Sequence, residues 1–209
     1  MTIEGDTPTV ENIRQRVIQV NRDNRGPLLR HLLKEDGWKH VLLFVSSKRG
    51  TKNLAAKLKR DGFKAGAFHG DLDQRERTEV LRKFKRRSIE VLVATDIAAR
   101  GIDIQDLSVV VNYDLPRSPV DYIHRIGRTG RAGSSGIAVS FVGHEDQAHF
   151  KVIEKRAELT LEREEMVGFE LTGEAPVRAK GAPPVKGKRP SKKDKARAAS
   201  KKATDRPSN

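Results

Sequence analysis

Short, continuously apolar runs alternate along the chain with longer segments whose apolar residues recur at helical spacing. The runs are His40–Val45, Ala65–Phe68, Val91–Ala94, Val109–Val111 and Ile137–Val142. Apolar stretches of this length read as strands covered on both faces. Helices are predicted between them. One covers Lys48 to Arg60, with Leu54 and Leu58 on one side and Gly62 as a stop. The others cover Gln74 to Lys85 (Val80, Leu81, Phe84), Pro119 to Gly127 and His144 to Ala157, with an earlier one from Arg25 to Glu35 carrying Leu28, Leu29, Leu32 and Leu33. Strands that alternate with helices imply crossover connections and a parallel sheet. The expected fold is a three-layer α/β domain over residues 13–158, with a mainly parallel sheet of about five or six strands and no internal repeat.

Composition changes this picture at the ends of the chain. The net charge is +14, of which Pro176 to Asn209 carries +10, from twelve basic and two acidic residues. Val177 and Val185 are the only large apolar side chains there, too little to offset the entropy of ordering, so residues 176–209 read as a disordered basic tail. Such a tail suits polyanions, nucleic acid above all, through counterion release; a purely solubilising tail is the bland alternative. Residues 1–12 read as a flexible segment and 159–175 as a peripheral extension of the domain. The chain has no cysteine, which excludes a disulfide framework, a thiolate zinc site and a cysteine nucleophile. No basic segment followed by an apolar one opens the chain, and no apolar run approaches the ~20 residues of a membrane helix. A soluble cytoplasmic protein with no membrane partner is expected.

Ligands of open parallel sheets bind beyond the carboxyl ends of the strands. The residues placed there are Ser46-Ser47, His69-Gly70-Asp71, Thr95-Asp96 and Asn112-Tyr113-Asp114. Two further segments carry chemistry, Ala99 to Asp103 and His124 to Arg131. The second holds three arginines, a histidine and two glycines in eight residues. Arg128 and Arg131 are three apart and share a side if the backbone is helical, and two guanidinium forks so held suit a phosphate chain. The alternative is a helix C-terminus whose arginines complement the dipole and whose glycine supplies the cap. Competing sites fail on spacing. Gly187-Lys188 lacks the glycine offset and hydroxyl of a phosphate loop. His144-Glu145 with His149 misses the zinc spacing by one residue, and no serine sits in a nucleophile elbow. No metal site is expected.

Four segments in order resemble the second, C-terminal RecA-like domain of the DEAD-box RNA helicases of superfamily 2. They are Leu43-Phe44-Val45-Ser46-Ser47; His69-Gly70-Asp71 with Gln74 to Arg77; Ala94 to Asp103; and His124-Arg125-Ile126-Gly127-Arg128-Thr129-Gly130-Arg131. Related nucleic-acid helicases usually open the last motif with glutamine, so His124 favours RNA over DNA helicases. The resemblance implies an RNA-stimulated ATPase. Arg128 and Arg131 would be arginine fingers at the ATP γ-phosphate, and Asp103 would bind the ribose with Gly101 permitting close approach. Arg100 and His124 would couple ATP to contacts between domains. Ser46, Ser47, Gln74, Arg77 and Thr95 would meet the RNA backbone or position the groups that do, and Gly70 would allow the strand-end loop close to it, without reading bases. Ser47 stands where the family usually has threonine, and keeps the hydroxyl.

The family's first RecA-like domain carries the phosphate loop, the adenine-reading motif and the metal-binding Asp-Glu-Ala-Asp segment, and the sequence contains none of these. ATP with magnesium would therefore be held mainly by that other domain, a partner alongside RNA. The chain is expected to resemble the C-terminal half of a longer helicase and to be inactive alone. A non-catalytic RNA clamp or partner-recruiting module is the alternative reading.

Overall fold

The computed structural model describes residues 12–102, 104, 107–130 and 135–174. The segments expected to be flexible, 1–12 and 176–209, lie outside these residues except for Asn12. Strands are β1 (Ile13–Gln19), β2 (Val41–Phe44), β3 (Ala65–Phe68), β4 (Val91–Ala94), β5 (Val109–Asn112), β6 (Gly136–Val142) and β7 (Arg163–Glu165). Helices are α1 (Arg25–Glu35), α2 (Lys48–Arg60), α3 (Gln74–Lys85), α4 (Asp96–Ala99), α5 (Pro119–Ile126) and α6 (Gln147–Ala157).

The strands form one sheet in the order β3-β4-β2-β5-β6-β1-β7, every pairing parallel. Alternate residues of each strand feed opposite layers. Val41 and Leu43 join Leu28, Leu32, Leu54 and Leu58 under α1 and α2, whereas Leu42 and Phe44 face Phe84 of α3. Beneath α5 and α6, Val17 and Ala138 pack with Tyr122, Ile126, Phe150 and Ile153. Both faces are therefore covered, the reason these strands read as unbroken apolar runs.

Among the described residues the sheet has seven strands, above the expected five or six. β1 escaped notice because Arg14, Gln15 and Arg16 interrupt its apolar residues, although Val17 and Ile18 are fully buried. β7 is entirely charged. Its Arg163 grips Glu154 of α6 through two bonds of 2.8 and 2.7 Å, and its Glu164 accepts from Arg16 of β1 at 2.9 Å. The stretch expected as a peripheral extension thus supplies an edge strand, and Met166 and Phe169 beyond it pack against the α1 layer.

Local signals set the starts of α2, α3 and α5. The Ser47 hydroxyl accepts from Gly50 N at 3.0 Å and starts α2. Asp73 and Glu76 close a reciprocal capping box on α3. Ser118 caps α5, with Pro119 following where its missing N–H costs nothing. At Gly136 a Cβ would lie 2.2 Å from the Thr129 hydroxyl, so the start of β6 admits only glycine beside the segment that follows α5.

Candidate functional site

The strands end together. Val45 N donates to Ala94 O at 2.9 Å, Thr95 N to Phe68 O at 3.3 Å and Asp114 N to Phe44 O at 3.1 Å. These bonds tie the loops after β2, β3, β4 and β5 into one rim at the carboxyl edge of the sheet.

A cleft of about 210 Å³ opens beside that rim, walled by Asp96, Arg100, Gly101, Asp121, His124 and Arg128 and floored by Phe44 and Arg125. Sequence-predicted residues from two separate segments therefore converge. Arg128, half-buried, donates from Nη1 to Ile102 O at 3.0 Å. The Arg100 side chain is 68% exposed and reaches Asp121 at 3.0 Å. Asp121 also accepts from the Ser118 hydroxyl at 2.8 Å. The Ser118 bond first, and Arg100 after it, hold its carboxyl below the ordinary aspartate range. Gly101 has φ +73°, a left-handed turn that only glycine adopts cheaply, with open space where a side chain would be. His124 is exposed at the mouth. Guanidinium groups around an open concavity are chemically suited to a phosphate chain. Asp103 and Arg131, expected to face the nucleotide, lie outside the described residues.

The floor is held by Arg125, to which sequence reasoning gave no role. It is 2% exposed. Its fork pairs with both Asp96 oxygens at 2.6 and 2.7 Å. Nη1 donates to Asn112 Oδ1 at 2.9 Å and to Asp114 O at 2.7 Å. The guanidinium also stacks on Phe44, 4.6 Å from the ring centre. Asn112 in turn donates to the Ser140 hydroxyl at 3.1 Å. This network clamps α4, β5, β6 and α5 together. A signal existed in the sequence: Asn112 and Ser140 are polar residues inside otherwise apolar strands, and buried polar groups need partners.

The expected RNA-facing residues are spread along the rim and differ in how they are held. Ser46 donates from both N and Oγ to Asp114 Oδ2, at 2.8 and 2.9 Å. Asp114 is itself fixed by buried Arg25, whose Nη1 lies 3.2 Å from Oδ1. Ser47 is exposed although its hydroxyl caps α2. Gln74 is exposed in the first turn of α3. Thr95 is 8% exposed at the start of α4, where its carbonyl accepts from Ala99 N at 3.0 Å. Arg77 turns inward instead, donating to Ala98 O at 3.3 Å and lying 4.5 Å over the Phe68 ring. At Gly70 a Cβ would make only an ordinary 3.7 Å contact with Lys48, so no crowding within this chain requires glycine. Beside it, Lys48 pairs with Asp71, and Lys52 lies 3.6 Å from the other Asp71 oxygen. His69 is buried, accepts from Asp71 N at 3.3 Å, and is held below the usual histidine range, chiefly by burial and then by the Lys52 charge.

Comparison with known proteins settles what this arrangement belongs to. Residues 25–133 match the model of the helicase conserved C-terminal domain. The chain belongs to the DEAD-box RNA helicases, as their C-terminal RecA-like domain. It is 40% identical over 154 residues to the ATP-dependent RNA helicase RhlB of Pseudomonas syringae, covering 74% of this chain and 39% of RhlB. The chain thus spans about two fifths of the length of that curated relative. Among solved structures, Escherichia coli DEAD-box protein SrmB bound to regulator of ribonuclease activity A superposes with TM-score 0.74 at 34% identity, covering 79% of this chain and 98% of the other. Saccharomyces cerevisiae Dbp5 bound to RNA and ADP with beryllium fluoride gives 0.69 at 35% identity, over 79% of this chain and 45% of Dbp5.

Proposed function

We propose that the chain acts as the second motor domain of an ATP-dependent RNA helicase, lending charge to ATP hydrolysis and part of a surface that holds RNA by its backbone. The observation that carries this reading is the convergence of Arg100, Gly101, His124 and Arg128 on one open cleft at the strand ends. The groups form half a site. A facing RecA-like domain would hold ATP and magnesium, and the exposure of Arg100 and His124 leaves them available to it.

In this reading Arg128 and Arg131 stabilise the negative charge that builds on the γ-phosphoryl group during transfer to water. Asp103 takes the ribose, and the left-handed turn at Gly101 brings the backbone close. Arg100 and His124 transmit the presence of nucleotide to the other domain. Ser46, Ser47, Gln74 and Thr95 border the RNA phosphates, as do Gly70 and Arg77 through the loops they shape. Arg77 works by fixing α4 and its preceding Thr95 against α3. The tail from Pro176 adds cations that raise RNA affinity without sequence choice.

The test mixes the chain with a separately expressed first RecA-like domain and measures RNA-stimulated ATP hydrolysis. Activity is expected only in the mixture. Arg128→Ala and Arg131→Ala are each expected to lower it by about a thousandfold or more, the scale of an arginine finger. If both domains fold, the chain binds RNA and no mixture is active, the non-catalytic clamp becomes the better description. Removing 176–209 is expected to weaken RNA binding equally across sequences and to flatten the plot of log affinity against log salt; an unchanged slope would assign the tail to solubility.

A further inference from the structure

On the flank of α3 lies a hollow of about 560 Å³ bordered by Thr78, Leu81, Arg82, Lys85, Arg86, Gly101 and Ile102, with Gly101 shared with the cleft. Its floor is aliphatic, because Leu81 and Ile102 are only partly buried against the α3 layer of the core. Its rim is cationic. From residue 79 to 87 the chain carries five basic residues and a single acidic one, Glu79. Glu79 is shared by Arg82, at 2.8 and 2.7 Å, and Lys83, at 3.3 Å, so one carboxylate stands against five cations and the stretch keeps a net charge of +4 beside the hollow.

We propose that this hollow docks an acidic, amphipathic segment of a partner protein, with its apolar side chains on Leu81 and Ile102 and its carboxylates on the rim. An apolar floor with a charged rim is the anatomy of a protein contact. RNA fits less well on two grounds. No aromatic side chain lines the hollow among the described residues, so a base has nothing to stack on. In addition, α3 begins beside the carboxyl end of β3 and leads to the amino end of the parallel β4, so its last turn lies toward the sheet edge opposite the RNA rim. The hollow nevertheless communicates with the cleft: Ile102 supplies part of its floor, while the Ile102 carbonyl receives Arg128. The docking itself stands apart from the motor-domain reading, since no ATP or RNA takes part in it.

The experiment selects binders of the full chain from a phage-displayed library of random dodecapeptides, then titrates the enriched peptide into labelled protein by methyl NMR. The expected consensus combines Asp and Glu with spaced Leu, Ile, Met or Phe. The peptide is expected to shift the Leu81 and Ile102 methyl signals, and to bind at least about tenfold more weakly to the Arg82→Glu, Arg86→Glu double variant, as loss of rim charge predicts. Should that variant fail to fold, Arg82→Gln with Arg86→Gln gives the same comparison without like-charge repulsion. The proposal is overturned if the enriched peptides lack acidic residues, leave Leu81 and Ile102 unshifted, or bind the variants equally well. It is overturned equally if no peptide is enriched, or if a ten-residue oligouridine shifts those methyls and the peptide does not.

Discussion

Arg125 and Arg128 stand one helical turn apart at the end of α5, in opposite surroundings. Arg125 is 2% exposed and meets a carboxylate, a side-chain amide, a carbonyl and an aromatic ring. Arg128 is half-buried on the wall of an open cleft, anchored on the Ile102 carbonyl. Residue type and motif membership are identical for the two, and only burial separates them. The first holds four elements in register; the second presents charge to whatever enters the cleft. A buried guanidinium with fixed partners answers to stability, whereas one on a solvent-facing wall answers to ligand.

That contrast can be broken most sharply at Arg125. Removing it leaves the fully buried Asn112 oxygen without its donor, takes the partner from half-buried Asp96 and removes the stacking on Phe44, so Arg125→Ala should lower stability by about 3–5 kcal/mol in urea unfolding. Arg128→Ala should leave the urea midpoint nearly unchanged. A next step down concerns the clamp between α6 and β7. The Arg163 side chain, ahead of other influences, holds Glu154 below the usual glutamate range. A depressed folded pKa contributes stability above the unfolded value, about 4.3, and loses it as pH falls through the folded value. Glu154→Gln should therefore cost about 1–2 kcal/mol at pH 7, and the gap between the two proteins should narrow steadily as the pH is taken from 5 toward 3. The smallest effect belongs to Arg100. Its exposed pair with Asp121 is worth at most about 1 kcal/mol, so Arg100→Ala should barely move the melting temperature while weakening coupling between nucleotide and RNA in the two-domain assay. A melting shift as large as that of Arg125→Ala would erase the distinction between cleft wall and floor.

The layered parallel fold was legible because β2, β4, β5 and β6 are buried on both faces and carry apolar residues broken only by Asn112 and Ser140. β1 and β7 were not, for a physical reason. In β1 the polar run Arg14-Gln15-Arg16 breaks up the buried Ile13, Val17 and Ile18; β7 is an edge strand of charged residues held by ion pairs such as Arg16 with Glu164 and Arg163 with Glu154, with no hydrophobic period to read. In the site, spacing brought Arg100, Gly101, His124 and Arg128 to attention, and the fold gathers them. Spacing could not separate Arg125 from its neighbours, because the partners that define it lie on three other elements distant in sequence. Arg77 shows the converse, since its place in the motif does not reveal that its partners are the Ala98 carbonyl and the Phe68 ring.

The decisive measurement is RNA-stimulated ATP hydrolysis by the chain paired with a first RecA-like domain, comparing Arg128→Ala with the native chain at matched folded concentration. The account predicts a loss of about a thousandfold or more with an unchanged unfolding midpoint. Full activity in the variant, or a loss explained by a collapsed midpoint, would contradict the assignment of Arg128 to the nucleotide.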